Sequence, residues 1–135
     1  MIFGGSQVLM DVEPLVHMIR GDAVLHGISH TVAGAFVIAI VSAVVGRPVC
    51  GALLARSGIM DRPISWPVAW VSALVGTYSH ILLDAIMHSD MNPLWPVAYG
   101  NPLLGIISVV ALHVLCVACG VVGGLVVGLR LSRGV

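Results

Sequence analysis

Apolar residues in this chain come in three runs long enough to cross a bilayer, separated by stretches in which charge, proline and glycine collect. A helix advances about 1.5 Å per residue, so a hydrocarbon core about 30 Å thick calls for about 20 mostly apolar residues. The runs at about 28–46, 67–88 and 104–129 meet that length. A weaker run at 4–19 is short and is interrupted by Asp11, Glu13 and Pro14. It predicts a broken or re-entrant element packed against protein, because backbone breaks facing lipid leave polar groups unsatisfied. Nothing remains for a soluble domain. The expected architecture is therefore all-α: a single transmembrane domain over 1–135, with three membrane helices and a broken or re-entrant N-terminal helix.

Composition agrees with lipid as the solvent. Hydrophobic residues make up 59% and charged residues 9% of the 135, with a mean hydropathy of +1.07, against about 25% charged in ordinary globular chains. Six arginines and no lysine balance six carboxylates, which excludes a nucleic-acid surface as a reading. Cys50, Cys116 and Cys119 lie in or beside apolar stretches, where cysteine serves mostly as a small hydrophobe. The opening MIFGGSQVLMDVEP lacks the basic start and clean apolar centre of a signal peptide and is expected to belong to the fold.

Charge asymmetry sets an orientation. Arg47, Arg56 and Arg62 lie between the first two spans and Arg130 and Arg133 follow the third, against Arg20 alone on the other side. The positive-inside rule then places the 47–62 loop and the C-terminus in the cytoplasm. Trp66, Trp70 and Trp95 fall near span ends, as interfacial aromatics do. In the last span Gly120, Gly124 and Gly128 repeat every four residues, a smooth strip for a packing seam. Its partner, another helix of the same chain or a second copy in a homo-oligomer or larger complex, is left open.

Ionisable side chains within a membrane cost about 2.5–3.5 kcal/mol for a central Asp, and here they cluster. His26 and His30 are four apart at the entrance to the first span; His80, Asp84 and His88 repeat at four-residue steps at the end of the second. Such spacing puts side chains on one helix face about 5–6 Å apart, so each helix offers a pincer. The two pincers belong to the same side of the membrane and can meet. Asp11 and Glu13 would diverge on a regular helix, but a break before Pro14 lets them converge. Histidine nitrogens with carboxylate oxygens suit zinc, and also manganese or iron. His80 and His88 are about 12 Å apart along a helix axis, so a site of two or more ions is expected. Asp90 reads as a ligand, a helix-end cap or a solvated side chain. For His17 and His113, without comparable partners, hydrogen bonding to neighbouring structure is the preferred reading, and structural His/Asp pairing remains the bland alternative for the whole cluster.

At these residues the chain resembles the small bacterial inner-membrane metal-dependent hydrolases of the YdjM type, described as LexA-regulated. LMDVEP (9–14) is similar to that family's acidic element, LHGISHT (25–31) to its His-rich stretch in the looser form His-x-x-x-His, and SHILLDAIMH (79–88) to its Ser-His-x-x-x-Asp helix. The resemblance covers roughly residues 11–96. It implies metal-ligand roles for Asp11, Glu13, His26, His30, His80 and Asp84. Relatives often carry a Thr-Pro-x-His stretch before the acidic element, whereas this chain opens at Gly4-Gly5-Ser6, which leaves open a further helix and ligand ahead of it.

The function expected from these features is metal-dependent hydrolysis of a phosphoester in a lipid or other amphiphile at the outer face of a bacterial inner membrane. Metal lowers the pKa of a water toward about 7 and stabilises phosphoryl charge. Metal ligands are expected at Asp11, Glu13, His26, His30, His80, Asp84 and His88. Asp90, or Glu13 if uncoordinated, is the expected general base and Arg20 the cation for phosphate. The rival expectations are a non-enzymatic membrane subunit, haem-binding or structural, and a His/Asp ion relay.

Overall fold

The computed structural model describes residues 1–59 and 62–133. It is all-helical, without a strand among the described residues: α1 (Ile2–Met10), α2 (Val12–Arg20), a single 3-10 turn (Ile28–His30), α3 (Val32–Arg56), α4 (Trp66–Met87) and α5 (Val109–Ser132). The last three are long and apolar enough to cross a membrane.

Small residues decide how these helices meet. Ala35, Ala39 and Ala43 repeat every four residues along α3, and Ala69, Ala73, Gly76 and Ala85 line α4; the alanines are all fully buried. Lipid tails are as apolar as the helices, so close backbone packing at such seams replaces the hydrophobic drive of soluble cores. Into the groove between α3 and α4 fits α1, with Ile2 packed in the cluster of Ala39, Ala43, Cys50, Ala69 and Ala73, and Met10 in that of Ala35, Ile81, Ala85 and Met91. Gly76 is where α1 presses closest to α4: a Cβ there would overlap the Ser6 hydroxyl and sit 2.8 Å from the Phe3 carbonyl oxygen. The expected broken N-terminal helix is thus a re-entrant piece whose end delivers Asp11 to the end of α4.

Element ends differ from expectation for local reasons. The break expected before Pro14 falls three residues ahead of it, at Asp11. Pro14 sits in the first turn of α2, where its missing N–H costs no intrahelical bond. The first membrane helix starts at Val32 rather than near residue 28, because the Thr31 hydroxyl caps it by accepting the Gly34 N–H at 2.9 Å. It also runs on to Arg56 with Pro48 inside it, taking Arg47 out of the expected loop. Arg47 donates from Nε to the Ile64 carbonyl at 2.8 Å and lies 4.5 Å from the centre of the Trp66 ring. The third span begins at Val109, after Ser108 caps it through the Ala111 N–H. The seam expected on α5 meets no partner among the described residues: a Cβ at Gly120, Gly124 or Gly128 would meet nothing within 4 Å.

Candidate metal centre

The end of α1, the 3-10 turn before α3 and the last turns of α4 converge at one end of the bundle. There Asp11, His30, His80 and Asp84 each present an atom within 4.8 Å of all the others. His30 Nε2 lies 3.3 Å from His80 Nε2 and 3.4 Å from Asp84 Oδ2. His80 Nε2 lies 3.1 Å from Asp84 Oδ2 and 3.2 Å from Asp11 Oδ1. Bonds of about 2.0–2.1 Å to a tetrahedral ion would place ligand atoms about 3.3–3.4 Å apart, close to these four separations, while Asp11 lies within 4.8 Å of His30 and Asp84. Hydrogen bonding alone fits them poorly, since a single His80 N–H would face three acceptors. Two carboxylates and two imidazoles also match a divalent charge.

Glu13 stands outside this group. Its carboxylate accepts the backbone N–H of Ile28 at 3.1 Å and of Ser29 at 2.8 Å, together with a short hydrogen bond from the Ser29 hydroxyl. Because that hydroxyl donates to Glu13, it accepts from His30 Nδ1 at 2.9 Å. The Nδ1–H tautomer leaves Nε2 of His30 with its lone pair toward His80 and Asp84, the arrangement by which outer carboxylates orient metal-binding imidazoles. Burial opposes charge on Glu13, yet the bonds from Ser29 and Ile28 outweigh it and hold its pKa below the ordinary value. Asp11 and Glu13 therefore diverge, one to His80 and the other to the 28–29 backbone.

A second group, His26, His88 and Asp90, adjoins the first. The His26 ring stacks on His88 with centroids 4.4 Å apart and meets His30 edge-on at 4.8 Å. His26 and His30 form no pincer on a shared helix face, because residues 22–27 are not helical and α3 has yet to begin. His80 and His88 also fall in separate groups, as their axial separation predicts. Asp90 accepts from His26 Nδ1 at 2.9 Å and from the backbone N–H groups of Leu25 and His26 at 2.8 and 3.2 Å. Burial raises its pKa, but these bonds prevail and lower it to about 2, which makes it a weak base. Burial lowers the His26 pKa against the pull of Asp90 and so favours the neutral, ligating form.

Arg20 is exposed in the last turn of α2, forms no ion pair among the described residues, and does not line the cavity on which Asp11, His26 and His88 open. His17 and His113 each donate Nδ1–H to a backbone carbonyl, of Leu25 at 2.9 Å and Val109 at 2.7 Å. Ser29, whose place just before a predicted ligand reads as that of a hydrogen-bonding residue rather than a nucleophile, does hydrogen-bond here, to Glu13 and His30; its partners were not legible in the sequence. Two groups of His and Asp are thus assembled that can hold metal. No protein-family profile, curated protein or solved structure matches the chain.

Proposed function

We propose that the protein is a membrane-embedded metal-dependent hydrolase acting on a phosphoester of an amphiphile, in keeping with the three motifs that resemble the YdjM-type family. The observation that carries this reading is the convergence of Asp11, His30, His80 and Asp84, from three separate segments, with one ligand atom of each within 4.8 Å of all the others. Zinc fits that donor set best, with manganese or iron as the other candidates. A divalent cation supplies Lewis acidity and a water of lowered pKa. The chain itself contributes fixed donors, an oriented His30 through Ser29 and Glu13, and an oriented His26 through Asp90. In the reaction, water oxygen bonds to phosphorus and the P–O bond to the amphiphile's alcohol breaks. One water proton ends on that alcohol while the remaining hydroxyl stays on phosphorus. Asp90, with both oxygens engaged, serves in orientation rather than as base, and a cation held by these residues, rather than Arg20, would meet the phosphate charge. The resemblance implies a bacterial inner membrane, and the arginine bias supports an orientation with the metal end outward and the C-terminus cytoplasmic.

Metal content of the purified protein against His80→Ala and Asp84→Ala, with phosphate release from a panel of lipid and alkyl phosphates, tests the reading. Loss of metal in both variants together with loss of hydrolysis is expected; unchanged stoichiometry in both rejects the site. A bis-histidine haem is disfavoured, because His30 and His80, with Asp84 beside them, leave no room for a macrocycle between the rings. An ion relay is favoured by one feature, the unbroken chain of Asp11, His80, Asp84 and His30 at 3.1–3.4 Å. Proton or metal flux in liposomes without hydrolysis would establish it instead.

A further inference from the structure

An apolar groove leads directly away from the donor atoms. A cavity of about 420 Å³ has Asp11, His26 and His88 among its lining residues, so it touches both groups of candidate ligands. Its walls are Val8 from α1, Val12, Leu15 and Met18 from α2, and Leu25. Asp11, Leu15 and Met18 are spaced four and three residues apart, and helical geometry places them in one stripe. The opposite side of α2 is tied down, with Glu13 bonded to the 28–29 backbone and His17 to the Leu25 carbonyl. What α2 leaves facing the groove is therefore hydrocarbon, starting at a ligand and ending away from it. On the other side of His26 lies a smaller cavity of about 260 Å³ with Thr31, Asn92, Trp95 and Tyr99 on its walls. The surroundings of His26 are apolar toward α2 and mixed toward the 92–99 segment.

We propose that this groove seats the hydrocarbon chain of a single-chain alkyl phosphoester, with its phosphate at the Asp11, His26 and His88 end. The assignment deepens the hydrolase reading and rests on it. A volume in the lower part of the range for drug-sized ligands suits one chain rather than two. The wall offers no hydrogen-bonding side chain beyond Asp11, His26 and His88, and Pro14, also in the wall, has no N–H to offer. A polar tail would lose its water without replacement. Each methylene taken from water into such a groove strengthens binding by up to about fourfold.

The test uses zinc-loaded full-length protein and two non-hydrolysable ligands, ethylphosphonate and octylphosphonate, with zinc content measured alongside calorimetric affinity. Wild type is expected to prefer octylphosphonate by at least about tenfold. Leu15→Trp, which fills the groove from an exposed position, is expected to abolish that preference while zinc content and ethylphosphonate affinity stay unchanged. Met18→Trp, on a residue 60% exposed, is the second variant should the first fail to fold. If the preference survives in the folded variants, or wild type shows none, only bulk lipid occupies the groove and the proposal is overturned. Wild-type protein that holds none of zinc, manganese or iron overturns the metal reading itself, an outcome distinct from metal retained with an unaltered chain preference.

Discussion

His30 is where two chains of hydrogen-bonding groups meet, one through Ser29 to Glu13 and the other toward His80 and Asp84. Ser29→Ala removes the acceptor for Nδ1–H and frees the ring to turn or change tautomer. Removing such outer partners weakens metal binding by about 10–100-fold. A competition titration with a chromophoric chelator should show that drop in Ser29→Ala with stoichiometry preserved; an unchanged affinity would remove Ser29 and Glu13 from the site. Asp90 gives a pH signature. Its folded pKa of about 2 is below the ordinary 3.8, so its bonds to His26 and Leu25 stabilise the fold above about pH 3.8. That contribution is lost as pH falls toward 2. Thermal unfolding of metal-free protein should weaken over this window, and Asp90→Asn should show a shallower decline. The residue types and their four-residue spacing were legible in the sequence. The division of labour between Asp11 and Glu13 was not, because it depends on which strand of backbone each carboxylate reaches across the fold.

At the scale of the element, short-range chemistry fixed the helix ends. Thr31 and Ser108 cap α3 and α5, both of them hydroxyl residues ahead of apolar runs, a signal that hydropathy alone overlooks. The break at Asp11 has a larger consequence, since it ends α1 where its backbone leaves the groove and lets α2 turn onto the 25–29 segment. Gly76 holds α1 in place by lacking a side chain. Gly76→Ala forces α1 away from α4 and is expected to cost about 1–3 kcal/mol, the range for overpacking. Because Asp11 travels with α1, the same variant should bind metal more weakly. Gly120→Ala, with open space around it, is expected to leave monomer stability within about 0.5 kcal/mol. Denaturation midpoints in one detergent compare the two, and equal losses would show that α1 does not dock as described. Small residues at four-residue spacing pack α3 against α4 and α1 within this chain, whereas the glycines at that spacing on α5 meet open space among the described residues.

Across the whole molecule, α3 starts and α4 ends on the side of the His and Asp groups, and Arg47 and Trp66 meet at the opposite end. A membrane would thus lie with the His and Asp groups at one surface and Arg47 at the other. The sidedness follows from labelling. In cysteine-free background, Ser89→Cys should react with a membrane-impermeant maleimide from outside, while Ser57→Cys reacts only after permeabilisation; the reverse pattern would invert the topology. Amino-acid order alone determined three apolar helices, the interrupted segment before them and the helical spacing of the His and Asp residues, because hydropathy and helical spacing are local properties. Which donors share a site was decided only by tertiary structure. His26 and His30 part company, Glu13 supports instead of joining, and Asp90 binds a histidine 64 positions away. Distances of about 3 Å between such residues depend on how a re-entrant helix, a 3-10 turn and a membrane helix end pack together, and no local pattern encodes that.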